Sequence, residues 1–264
     1  MHNNMCGLPG NICSCSKVCL LNYWKRGSSL SLNKGLVWPK KAPRAWYERM
    51  DNHLIQLGFS RSQSEATLYV KVNAAGESLI VSIYVDDMLV TGSKIELIQR
   101  FKDEMEKIFE MTDLGVMKYF LGMELLQSSD GVFICQQKYI SDILNRFKMQ
   151  DCKPVSTPIS TCVKLGKDED SEKVDDSMYR SLIGSLLYLT ASRPDILFVV
   201  SLLSRFMHSP RDTHLTAAKR VLRYIKGTSK FGIFFLTSAK VTLNLIGYSD
   251  CDWGGGVDDS RSTS

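Results

Sequence analysis

No aspartate precedes Asp51 in this 264-residue chain. No apolar run approaches the ~18 residues a membrane span needs, which excludes a transmembrane helix and removes membranes from the expected partners. The opening MHNNMCGLPG has no basic stretch leading into an apolar block. No secretory signal is read there, and an intracellular setting, cytoplasmic or nuclear, is expected. Paired metal-ligand spacings are missing too. Of the eight cysteines, Cys6, Cys13, Cys15 and Cys19 crowd the start, but no second pair and no His-x-His answers them. They read as free thiols. Strong charge is also lacking: a net +5 permits a nucleic-acid partner without requiring one. There is no internal repeat.

What is present is ordinary globular sequence, 44% hydrophobic and 23% charged, enough for one large domain or two modest ones. Met1–Ser31 shows neither helical nor strand periodicity, so no stable packing is expected of it. Beyond it, Pro43–Leu57 reads as a helix closed by Gly58. Thr67–Val72 and Ser78–Tyr84 read as strands, and Ile95–Phe109 as an amphipathic helix. Tyr119–Gln127 and Gly131–Cys135 suggest a hairpin. A polar stretch, Asp151–Asp176, reads as a linker or long loop. Helical spacing returns at Met178–Ala191, Ile196–Met207 and His214–Lys226, and Leu243–Tyr248 suggests a last strand.

The feature richest in chemistry is Tyr84-Val85-Asp86-Asp87. The strand before it, Leu79–Ile83, is apolar enough to lie inside a sheet. Two acids then stand where that strand turns back, with Lys94 the nearest following base. Adjacent carboxylates repel unless a cation neutralises them or one takes a proton. A divalent metal would answer that need, since Mg²⁺ prefers oxygen ligands. A solvated Asp-Asp turn is the plainer alternative, and spacing alone leaves both open.

Tyr84–Asp87 resembles the YxDD box of reverse transcriptases, and its surroundings resemble one branch of them. KAPRAWYERM (Lys41–Met50), LIVSIYVDDMLVTGS (Leu79–Ser93) and MTDLGVMKYFLGMEL (Met111–Leu125) are similar to the copia-type retrotransposon polymerase in order and spacing. So are Gln136–Pro158, Tyr179–Ile196 and His214–Thr228, and the similarity runs from about Leu32 to Ser264. It implies an α/β (α+β) fold: a partial palm with an antiparallel sheet, a helical thumb and a ribonuclease H stub. The implied divisions are an unmatched or frame-shifted segment 1–40, a palm part 41–136, a thumb-like part 137–230 holding the linker 151–176, and a ribonuclease H start 231–264.

The same resemblance implies roles. Asp86 and Asp87 would be the catalytic Mg²⁺ ligands, and Phe120, Leu121 and Gly122 would belong to the hairpin that grips the primer end. Asp250 would be the first metal-binding acid of ribonuclease H. The implied partners are an RNA/DNA primer-template duplex and, in the intact parent, a deoxynucleoside triphosphate.

Within His214–Lys226, Leu215, Ala218, Leu222 and Ile225 share one face, while Lys219, Arg223 and Lys226 share another with Arg220 nearby. These cations read either as a solvated face or as phosphate contacts, each of which would release a condensed counterion. Arg205 and Arg211, around His208, would extend such a patch.

Three departures from the family pattern bear on activity. The family carries a further metal-binding aspartate in a strand upstream of KAPRAWY, where this chain has none. Next, the family's ALYGLKQAPRAWY is GLVWPKKAPRAWY here, so Trp38 and Pro39, followed by Lys40, replace a glycine-containing nucleotide pocket. One added G before GCC TTG TAT GGC CTA AAA gives GGC CTT GTA TGG CCT AAA, which encodes Gly35–Lys40 letter for letter and points to a local frame slip. Last, of the four acids a ribonuclease H site needs, only Asp250 is matched before Ser264. The expectation is a polymerase relic without activity; the alternatives are a non-enzymatic nucleic-acid-binding module and a working polymerase whose missing strand comes from another chain.

Overall fold

The computed structural model describes residues 17–22, 42–160, 165–166, 171–236 and 247. They fall into two compact units that divide between Lys118 and Tyr119. Among them are antiparallel sheets and six α-helices, a mixed α and β architecture of the kind expected.

The first unit contains β1 (Lys17–Asn22), α1 (Ala42–Gln56), β2 (Ser60–Arg61), β3 (Leu68–Val72), β4 (Ser78–Tyr84), β5 (Asp87–Gly92), α2 (Ile95–Ile108) and β6 (Thr112–Val116). Pro43 enters α1 in its first turn, where no amide hydrogen is needed. Gly58, at φ 85, supplies the left-handed residue beyond its end. The strands form one sheet in the order β2-β3-β4-β5-β1-β6, every pair antiparallel. β4 is interior, as its composition suggests. Its burial nevertheless alternates, with Leu79, Val81 and Ile83 buried and Ile80 and Ser82 only half-buried. The buried row meets Met50 and Leu54 of α1 and Ile98, Phe101 and Met105 of α2 in one core. Lys102 on α2, only 5% exposed, is tied down by Asp113 of β6, with its Nζ 2.9 Å from both carboxylate oxygens.

β1 corrects the expectation that Met1–Ser31 packs nowhere. Lys17–Asn22 pairs with β5 on one side and β6 on the other. Its run Val18-Cys19-Leu20-Leu21 is too short to show a period alone, but two neighbouring strands supply the hydrogen bonds that hold it. The rest of that segment lies outside the described residues.

The second unit contains β7 (Tyr119–Phe120), β8 (Met123–Gln127), β9 (Gly131–Cys135), α3 (Gln137–Arg146), α4 (Asp176–Leu189), α5 (Leu197–Ser204), α6 (Asp212–Gly227) and β10 (Gly232–Leu236). Its sheet runs β10-β9-β8-β7, with β10 entering where no strand is expected from periodicity. The four helices share a core that includes Ile140, Ile143, Tyr179, Ile183, Val200 and Leu222. The hairpin expected at the end of the palm part belongs to this unit instead. Glu124 of β8 accepts from the Lys138 amide at the start of α3 (2.7 Å), which joins sheet to helices. The stretch read as a linker is also partly built in. Asp175 caps α4 by accepting from the Ser177 and Met178 amides, so the helix starts two residues earlier than expected. The Val174 amide donates to Pro210 and the Asp212 amide to Glu172.

Candidate active site

β4 and β5 are joined by a two-residue turn, with Tyr84 paired to Asp87 and Val85 and Asp86 between them. Val85 takes φ 52. A left-handed conformation is uncommon for any residue with a Cβ and a genuine outlier for a β-branched one, at a cost of roughly 1–3 kcal/mol. Strain of this kind persists where surrounding pairing imposes it, and here five further residue pairs of the ladder do so. Asp86 and Asp87 are half-buried, while Tyr84 and Val85 project.

Lys94 does not serve these acids. It forms an ion pair with Glu77 at the other end of the hairpin, and that hydrogen bond holds the Lys94 ammonium above its usual range and the Glu77 carboxyl below its own. The strand alongside is β1, whose Leu21 is in register with Met88 and whose Asn22 is in register with Asp87. An amide residue therefore stands in the sheet beside the acid pair. Among the described residues no three or more His, Cys, Asp or Glu side chains come together as a metal cradle. Carboxylate oxygens suit Mg²⁺, but two adjacent acids do not make the set that clamps two ions.

A brace behind the turn is absent from the sequence reading. Tyr69 of β3 is fully buried and donates to Asp51 Oδ1 (2.7 Å), with the Tyr47 hydroxyl 3.1 Å away. Asp51 also pairs with Arg61, whose hydrogen bond holds its carboxyl below the usual range, while burial pushes the Tyr69 phenol up. The network joins α1, β2 and β3, and β3 is the strand against which β4 is laid.

Phe120, Leu121 and Gly122 lie in the second unit. Leu121 and Gly122 form the two-residue turn between β7 and β8 at φ 48 and 76, the doubly left-handed pattern that usually takes Asn-Gly. Phe120 is half-buried and Leu121 exposed.

The apolar face of α6 is as expected, with Leu215, Ala218, Leu222 and Ile225 buried. Its basic face differs from both readings of it. Arg220 donates to Thr157 Oγ1 (2.8 Å), Arg223 Nε to the Lys153 carbonyl (2.7 Å) and Lys226 Nζ to the Cys152 carbonyl (2.6 Å). These three bind the chain segment Cys152–Thr157, and Lys219 is the exposed member of the group. Pro154 in that segment comes within 3.1 Å of where a Cβ on Gly227 would sit, so a side chain there would push Pro154 aside by a few tenths of an ångström. Arg211 donates to the Ser171 carbonyl (2.8 Å), while Arg205 and His208 are exposed.

A second unforeseen feature is Arg193, fully buried. It donates to Asp195 Oδ1 and Oδ2 (2.9 and 2.7 Å), to the Thr228 carbonyl (2.9 Å) and to Thr228 Oγ1 (2.7 Å). Burial pushes the Asp195 carboxyl up, but hydrogen bonds from Arg193 and Tyr224 outweigh it and leave the group below its ordinary value.

Trp38, Pro39, Lys40 and Asp250, with the strand expected at Leu243–Tyr248, fall outside the described residues apart from Gly247. Of the cysteines described with their side chains, Cys135 and Cys152 are both free, and burial pushes the Cys135 thiol up. No described helix is long and apolar enough to cross a membrane.

The family described as reverse transcriptase (RNA-dependent DNA polymerase) matches residues 22–161. The chain is 41% identical over 234 residues to the retrovirus-related Pol polyprotein of transposon RE1 from Arabidopsis thaliana, covering 88% of this chain and 16% of that one. It is 35% identical over 249 residues to the corresponding polyprotein of transposon TNT 1-94 from Nicotiana tabacum, covering 91% and 18%. A transposon Ty5-1 protein of Saccharomyces cerevisiae is 34% identical over 231 residues, covering 87% of this chain and 74% of its own length. The chain thus spans under a fifth of the two polyproteins. No solved structure matches it.

Proposed function

The chain belongs to the reverse transcriptase (RNA-dependent DNA polymerase) family, and from that premise we propose that it is a polymerase part whose acid site is incomplete, so that the chain alone makes no DNA. The first unit corresponds to the palm and the helices of the second to the thumb. Asp86 and Asp87 are the surviving ligands of the Mg²⁺ site, and an RNA/DNA primer-template and deoxynucleoside triphosphates are the substrates of the parent reaction. A pair of bound ions stabilises the attacking and leaving oxygens in such transfers. One observation carries the reading: β1, the strand next to the acid turn, brings Asn22 rather than a carboxylate into register with Asp87. The other reading, a binding module without catalysis, would draw on α6, where three of four cations are engaged within the chain.

The test is a Mn²⁺ titration followed by water-proton relaxation. Weak binding is expected in the native chain, weaker binding in Asp86→Asn, and tighter binding in Asn22→Asp, which adds a carboxylate at the position in register with Asp87. Two tightly held ions in the native chain would overturn the proposal.

A further inference from the structure

The Leu121–Gly122 turn is strained at Leu121, since Asn, Asp or Gly is the residue that accepts this conformation readily. What holds it is visible within the second unit. The Tyr188 hydroxyl of α4 donates to the Leu121 carbonyl. The same hydroxyl fills the space a Cβ on Gly122 would need, so a side chain at Gly122 would have to displace it. Tyr188 is fixed in turn. The Tyr139 ring of α3 meets it edge-on with centroids 4.8 Å apart, and the Tyr139 hydroxyl donates to the Ser185 carbonyl one turn earlier on α4 (3.3 Å). Tyr188 is nevertheless 43% exposed.

We propose that Tyr188 is a positioning residue: its hydroxyl locks the Leu121–Gly122 turn in its left-handed form, so that the turn presents a fixed main-chain surface to the end of a primer strand. The hairpin is thereby an extension of α3 and α4. The lock itself stands on geometry alone, whereas its use in primer recognition rests on the polymerase reading above.

The experiment has two readouts on the full chain. The first is hydrogen exchange of the Gly122 and Met123 amides. Tyr188→Phe removes one hydrogen bond and keeps the ring, and exchange should quicken about fivefold, the worth of one such bond. Adding Leu121→Asn, which favours the left-handed region, should restore protection, a rescue that a general loss of packing would not show. The second readout is anisotropy with a DNA primer on an RNA template, recessed or blunt. The native chain should prefer the recessed end, and Tyr188→Phe should erase the preference while leaving blunt-duplex affinity unchanged. Unchanged exchange in Tyr188→Phe, or no rescue by Leu121→Asn, overturns the lock. Altered exchange with an intact end preference overturns its role in positioning. A native chain with no end preference removes the polymerase reading at this turn and leaves the lock to be judged by exchange alone.

Discussion

In the first unit the acids stand at a strand tip, half-buried and beside a strand that offers Asn22 instead of a carboxylate. In the second, the cations lie along α6 and are mostly engaged by carbonyls and a hydroxyl of the chain itself. The tips of the two sheets differ in the same manner. Val85 is held left-handed by the ladder of its own hairpin, whereas Leu121 is held by a hydroxyl from a helix distant in sequence. The contrast separates two uses of polar residues. The acids at the first unit's turn are half-buried at a strand tip, whereas three of the four cations on α6 hold the second unit's own chain.

The largest effect is expected at Arg193. Replacing it with Ala removes the guanidinium that Asp195 and Thr228 share, leaves each with its bond to Tyr224, and opens a cavity. The second unit should lose about 3 kcal/mol, read as a lower urea midpoint of its amides with those of the first unit unmoved. Asp113→Ala should cost the first unit about 2 kcal/mol, because it strands the nearly buried Lys102. Tyr69→Phe should cost the first unit about 1 kcal/mol through its bond to Asp51.

Acid should act on the second unit through Asp195. The folded Asp195 carboxyl lies below its ordinary value. Its contribution is therefore complete above the unfolded pKa of about 3.9 and is lost as pH falls through the lower folded value. The second unit of Asp195→Asn should be less stable at neutral pH but lose less on acidification than the native one. The smallest effect is expected on α6. Changing Lys219, Arg223 and Lys226 together to Ala should flatten the log K against log salt slope for duplex by about 1 unit, from Lys219 alone, rather than the roughly 2–3 of a free basic face.

Much of the architecture was legible because apolar spacing is local. The interior place of β4 and the apolar faces of α2 and α6 follow from it, although β4 alternates in burial where a strand covered on both faces is expected. What escaped depends on partners remote in sequence. β1 is a strand because β5 and β6 flank it, and β10 because β9 does. Arg220, Arg223 and Lys226 looked like an open face because nothing in their own helix shows that Cys152–Thr157 lies against them. Arg193 and Tyr188 lie in the matching block Tyr179–Ile196 but carry no individual role there, since a single Arg or Tyr acquires its role only from the groups it meets. The acid pair was legible by resemblance, and the position in register with Asp87 only from strand pairing.

The most direct measurement is primer extension by the chain alone, given Mg²⁺, a DNA primer on an RNA template and all four deoxynucleotides. Each ion contributes several kcal/mol to such a transfer. At 1.36 kcal/mol per tenfold, one poorly held ion costs on the order of 10³ in rate or more. No extension above background is predicted. Extension that disappears in Asp86→Asn would show that the acid turn is a working centre and would contradict the account.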